Sequence, residues 1–197
     1  MTLTKGDATP KKEILLFGSC EYELIGFENI LSRFNYKVLR IHEIEDALSH
    51  PSSLIVVALS SEPLLQWVRF ITTIKILAKE PEKRVIIFTP RKLMHLASLK
   101  TIGLVFNGKI SVQELQGVIQ SLIKSNHIVK YKRMRFSLKQ QKELIRLRLM
   151  LKQSFKNRAA ETKNTYYHRA RILKIIGIDN LHVALVSGLL LDDYCIQ

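Results

Sequence analysis

Between residues 13 and 128, five short apolar runs alternate with five amphipathic stretches, and few architectures accommodate that order. The runs are Glu13–Gly18, Lys37–Ile41, Leu54–Leu59, Arg84–Thr89 and Gly103–Phe106. Each is four to six residues long and rich in Ile, Val, Leu and Phe, which is how a strand buried on both faces reads. Between them, apolar spacing predicts helices over Tyr22–Phe34, Glu43–Ser49, Leu64–Lys79, Leu93–Lys100 and Val112–Ser125. Parallel neighbours need crossover connections, so the alternation itself predicts a five-stranded parallel sheet sandwiched by helices. The expectation is an α/β, flavodoxin-like domain over residues 13–125, preceded by a flexible N-terminus of residues 1–12.

Charge separates the rest of the chain from this unit. Residues before position 129 carry 16 basic and 12 acidic side chains, whereas those after it carry 15 and 5. Lys130 to Lys174 holds all 15 of those cations against only Glu143 and Glu161. A solvated helical face would mix its charges, but a surplus confined to one segment points to a polyanion, whose condensed counterions each bound cation releases. Double-stranded DNA is the expected partner. Cys20 and Cys195 stand far apart, outside metal-ligand or disulfide-framework spacing. The first twelve residues, MTLTKGDATPKK, have no apolar signal-peptide core, and Val183 to Leu191 is about half the length of a bilayer crossing. These features lead to the expectation of a cytoplasmic protein with no membrane association.

The basic third reads as a linker followed by helices. Residues 126–136 lack helical periodicity and form the linker; residues 137–197 form an all-α unit. Ser137 offers an N-cap with Gln140 three residues on, and the helix after it lines up Leu144, Leu147 and Leu151. A second helix is expected at Phe155–Glu161 and a third at Asn164–Ile176, closed by Gly177. In the third, Tyr166, Ala170, Leu173 and Ile175 or Ile176 are expected to be buried. Lys163, Asn164, Tyr167, His168, Arg171 and Lys174 would then face outward. A last helix, Leu181 to about Leu191, is too apolar for full solvation, so part of it is a candidate dimer contact.

Two resemblances sharpen this reading. Gly26-Phe27-Glu28-Asn29-Ile30-Leu31, Thr89, and Glu114-Leu115 with Val118, Ile119 and Leu122 resemble motifs of bacterial response-regulator receiver domains. Phosphoryl acceptance in that family needs an aspartate ending the third strand and an acidic pair after the first, which together hold a divalent cation. Here Ala58 fills the acceptor slot, Gly18 and Ser19 fill the acidic positions, and Asn107 replaces the lysine. Tyr166 to Asn180, through His168, Arg169, Arg171, Ile172, Leu173, Gly177 and Asn180, resembles the LuxR/NarL (FixJ)-type recognition helix and its exit. Glu143-Leu144-Ile145 with Leu147 resembles the opening of that module, although the intervening segment is about three residues shorter than in the family.

The combined resemblance implies a pseudo-receiver followed by a LuxR-type helix-turn-helix. Its function would be that of a sequence-specific transcriptional regulator not controlled by aspartyl phosphorylation, with no cofactor and no metal. Base contacts would fall to Asn164, Tyr167, His168 and Arg171, and phosphate contacts to Lys156, Arg158, Lys163, Arg169 and Lys174. Such modules bind paired half-sites as dimers, so a homodimer, or a heterodimer with another LuxR-type regulator, is implied. The alternative is an interaction module that titrates such a regulator without specific DNA binding of its own. An enzyme is not expected. The six histidines show no ligand spacing, and Gly18-Ser19-Cys20 has no identifiable partner base.

Overall fold

A computed structural model of the protein describes residues 12–65, 67–80, 82–124, 137–152 and 163–189. Five strands, β1 (Glu13–Gly18), β2 (Lys37–Ile41), β3 (Leu54–Ala58), β4 (Arg84–Thr89) and β5 (Leu104–Asn107), form one sheet. All are parallel, in the order β2-β1-β3-β4-β5, which is the flavodoxin-like order. The register places Leu16, Val56, Ile86 and Leu104 in one row and Leu15, Ile55 and Val85 in the next. Because side chains alternate across a strand, these rows feed opposite faces. Every residue of β3 is buried, which explains its unbroken apolar run.

One face is covered by two long helices. α1 (Glu21–Arg33) buries Leu24, Phe27 and Leu31, and Phe27 meets Phe88 with ring centroids 4.5 Å apart. The fifth helix in sequence, Val112–Lys124, buries Leu115, Ile119 and Leu122 on the same face. It begins with a reciprocal capping box. The Ser111 hydroxyl accepts from the Glu114 N–H at 3.2 Å, and the Glu114 carboxylate accepts from the Ser111 N–H at 3.0 Å. Donation from the Ser111 N–H and hydroxyl holds the Glu114 carboxyl below its ordinary range. This stabilisation is therefore present above the unfolded carboxyl range and disappears as pH falls through the lowered value. Ser111→Ala is expected to cost about 1 kcal/mol in urea unfolding at neutral pH.

The other face is built from short pieces. They are α2 (Asp46–Ser49), α3 (Val68–Ile74) with a 3-10 extension at Lys75–Lys79, a 3-10 turn at Arg91–Leu93, and α4 (Ala97–Lys100). Longer helices were expected over Glu43–Ser49, Leu64–Lys79 and Leu93–Lys100. The chain's last third completes this face. With α5 taken as Val112–Lys124, the remaining helices are α6 (Leu138–Lys152), α7 (Lys163–Ile176) and α8 (Leu181–Val186).

Leu144 of α6, Ile172, Leu173 and Ile176 of α7, and Ile178, Val183, Ala184 and Leu189 belong to one apolar cluster. That cluster also holds Ile55 and Val57 of the sheet, and Trp67, Ile71, Leu93 and Leu96 beside it. The Val68 N–H donates to the Ser187 carbonyl at 3.0 Å, so main chain joins main chain across the contact. The linker 126–136 and the helix expected at Phe155–Glu161 lie outside the described residues. Leu147 and Leu151 lie outside the described side chains. Among the described residues, no helix is long and apolar enough to cross a membrane.

Candidate nucleic-acid interface

α7 has the sequence KNTYYHRARILKII, without Gly, Pro or an acid, and runs uninterrupted to Gly177. Its end is a Schellman cap. The Ile178 N–H donates to the Leu173 carbonyl at 2.9 Å and the Gly177 N–H to the Lys174 carbonyl at 3.2 Å, with Leu173 and Ile178 both buried. Asn180 then caps α8, its side-chain oxygen accepting from the His182 N–H at 2.7 Å.

The buried side of α7 is Ile172, Leu173 and Ile176, facing α6 and α4. The sequence had placed Tyr166 and Ala170 on that side, and both are exposed, Tyr166 by 63%. Spacings of three and four from Ile176 run through Leu173 and Ile172 to position 169, so the inward line passes beside Tyr166 and Ala170. Arg169 lies on that line, half-buried, with its guanidinium 5.4 Å from the Tyr166 ring centroid.

The outward side brings together Tyr167, Arg171 and Lys174 at spacings of four and three, and all three are exposed. Neither Arg171 nor Lys174 has an acidic partner among the described residues. Lys163, Asn164 and His168 belong to the same helix, and their side chains lie outside the described ones. Lys156 and Arg158 lie outside the described residues altogether. A groove of about 450 Å³ runs between α7 and the start of α8, lined among others by Tyr166, Arg169, Lys174 and Asn180. A guanidinium offers a rigid fork of donors, an ammonium a point charge, and a phenol one donor and one acceptor. On a narrow helical ridge, such groups suit an anionic surface.

The slot that the receiver resemblance singles out has a different chemistry. Ala58 ends β3, fully buried between Gly18 and Phe88 in the sheet register, and offers no side-chain oxygen. Beyond it, the Glu23 carboxylate accepts from the Ser60 N–H (3.0 Å), the Ser60 hydroxyl (2.6 Å) and the Ser61 N–H (3.1 Å). The Ser19 hydroxyl donates to the Glu62 carboxylate. Gly108 closes the group from β5, because a Cβ there would lie 2.2 Å from the Ser60 Oγ.

Glu21 and Glu23 both stand in the first turn of α1, where acids complement the helix dipole. Glu21 also pairs with Arg40, and Glu23 holds the loop after β3. That pairing spans 37 residues, and no local pattern announces it. No cluster of three or more His, Cys, Asp or Glu among the described residues is placed to hold a metal ion.

No protein-family model matches the chain, and no curated protein matches it. Among solved structures, full-length FixJ from B. japonicum superposes with a TM-score of 0.47 at 15% sequence identity, covering 92% of this chain and 99% of that one.

Proposed function

We propose that this protein is a sequence-specific DNA-binding transcriptional regulator that presents α7 to a major groove. One observation carries the reading: a helix without acids buries Ile172, Leu173 and Ile176 and leaves Tyr167, Arg171 and Lys174 on a solvent-facing ridge. A solvated surface helix would intersperse glutamates with its cations. In this reading Arg171 forks onto a base edge, and Asn164, Tyr167 and His168 share base readout. Lys163, Lys174, Lys156 and Arg158 hold phosphates, and Arg169, half-buried off the outward ridge, reaches one only from the groove that it lines beside Tyr166. With Ala58 at the end of β3, regulation comes from abundance, a ligand or a partner rather than from aspartyl phosphate, and no cofactor or metal takes part. The protein is not an enzyme in this reading.

A pairing partner is part of the proposal. Leu138, Ile145 and Leu149 of α6 are 76%, 49% and 54% exposed, and spacings of seven and four put them on one side of the helix. An apolar line left open on a helix is a contact waiting for another chain. It suits a homodimer or a heterodimer with another helix-turn-helix regulator. It equally suits the second reading, in which the protein titrates such a regulator without reading DNA itself.

Recovery of genomic fragments by the purified protein at about 150 mM salt tests the homodimeric reading. One short motif of two half-sites is expected. Uniform, salt-sensitive recovery without a motif would favour a heterodimer or titration. On the recovered motif, Arg171→Ala is expected to weaken specific binding roughly 5- to 150-fold while sparing non-specific binding. An equal loss on both DNAs would reassign Arg171 to a phosphate.

A further inference from the structure

We propose that the α/β unit contributes its own phosphate-binding residues, Arg91, Lys92 and Lys100, to a composite DNA surface beside α7. This rests on the DNA-binding reading of α7 and extends its footprint to a segment that no helix-turn-helix contains.

Residues 90–100, PRKLMHLASLK, hold three cations and no acid. Three leucines fix them in place. Leu93, Leu96 and Leu99 are buried, and a chain of tight turns links them: the Leu93 N–H donates to the Pro90 carbonyl (2.9 Å), Leu96 to Leu93 (3.0 Å) and Leu99 to Leu96 (3.2 Å). Arg91, Lys92, His95 and Lys100 are left exposed around this base. A cation on an anchored turn loses little further freedom when it meets a phosphate, which a cation on a loose tail does not escape.

The segment touches the end of α7 directly. A Cβ on Gly177 would lie 1.9 Å from the His95 carbonyl oxygen and 3.2 Å from the Leu96 Cα, so the two main chains are in contact. Lys174 is one turn back from Gly177, and Arg91 is four residues from His95. At about 1.5 Å per helical residue and about 2 Å per 3-10 residue, Lys174 and Arg91 are separated along this path by on the order of 15 Å. One DNA strand covers that span in roughly four nucleotides at 3.4 Å each. A phosphate track that continues beyond Lys174 has the 90–100 turns within reach.

On β2, Lys37 is matched by Glu13, and Arg40 by Glu21 and Glu28. Arg91, Lys92 and Lys100 have no acidic partner among the described residues. Charges left unmatched beside an unmatched basic helix have a common complement in a polyanion.

The test compares the full-length chain, Arg91→Ala/Lys92→Ala, and Arg33→Ala/Lys124→Ala, which removes the same charge from exposed positions at the ends of α1 and α5. Each is titrated with the motif recovered by the parent, and with a scrambled duplex, across a salt series. Removing Arg91 and Lys92 is expected to make the slope of log K against log salt shallower by about 2. Affinity should fall roughly tenfold on both duplexes, with the ratio between them unchanged. The Arg33/Lys124 variant should follow the parent. Equal losses in the two double variants would reduce the effect to net charge and overturn the proposal, as would an Arg91/Lys92 variant that follows the parent. A parent that binds neither duplex at any salt would instead overturn the DNA-binding reading, and this inference with it.

Discussion

Gly177→Ala is expected to destabilise the protein by about 3–4 kcal/mol, near the upper end of what single substitutions do. Two costs combine at this position. Its φ is +85°, a left-handed conformation that costs an L-residue about 1–2 kcal/mol. The added Cβ would also lie 1.9 Å from the His95 carbonyl oxygen and 2.6 Å from its carbon. A side chain in that place could rotate away, but a carbonyl in a tight turn cannot. Either the Schellman cap of α7 opens, or the Leu93–Leu99 turns withdraw and uncover Leu93 and Leu96.

Urea unfolding would show the midpoint falling with the slope retained, and the melting temperature should drop by roughly 10 °C in a chain of this size. Gly26→Ala provides the contrast. Gly26 lies within α1 with open space where its Cβ would go, so alanine there is expected to stabilise by about 0.5–1 kcal/mol. Equal melting of Gly177→Ala and the parent would contradict the contact between α7 and the 90–100 segment.

The second large effect concerns the chain ending at Lys124, which is expected to fail as an independent domain. It keeps all five strands, α1 and α5, and loses every residue that covers the α3–α4 face. The lost residues include Ile172, Leu173, Ile176, Ile178, Val183 and Leu189, all buried in the cluster that contains Trp67, Ile71, Leu93 and Leu96. Full burial of one such side chain stabilises by about 1.5–3 kcal/mol, against a total of about 5–15 kcal/mol for a typical domain. Losing even a few of these contacts removes most of the margin.

Trp67 reports the outcome directly. It is the single tryptophan, fully buried, and its neighbour Val68 donates to the Ser187 carbonyl. In the shortened chain, its emission should shift to the red, a hydrophobic dye should bind, and the unfolding transition should broaden. Blue emission with one sharp transition would show that the α/β unit is self-sufficient.

The sheet was readable because each strand announces itself locally. β1, β2 and β4 coincide with the apolar runs that predicted them, and β5 is displaced by one residue. β3 and β4, buried on both faces, show almost nothing but apolar residues. The edge strands β2 and β5 are only partly buried, and β2 alternates exposed with half-buried positions; neither pattern needs tertiary information to detect. The covering helices were harder for the opposite reason. Leu64–Lys79 reads as one amphipathic helix, but the helix begins only at Val68 and tightens to 3-10 at Lys75. What lies over that face is decided about a hundred residues later, by α7 and α8.

The candidate site was legible to the same degree. Arg171, Lys174 and Tyr167 are outward as their helical phase required. Tyr166 and Ala170 were misplaced because an aromatic ring and a methyl group look like core material when partners are unknown. Ser111 and Glu114 form a capping box whose S-x-x-E spacing stands in the sequence. Arg91 and Lys92 carried no signal at all in sequence, since only the Gly177–His95 approach brings them near α7.

The shared apolar cluster has a consequence for the protein's birth. Synthesis proceeds from the N-terminus, so the sheet and its α3–α4 face leave the ribosome before the helices that cover them. At about 5–20 residues per second, the roughly 65 residues from Lys124 to Leu189 take on the order of three to thirteen seconds to add. Throughout that interval Trp67, Leu93 and Leu96 face water beside a half-finished core. A nascent chain in this state is a natural client for a chaperone that binds exposed apolar surface, and its yield should be sensitive to the rate at which the last third is translated.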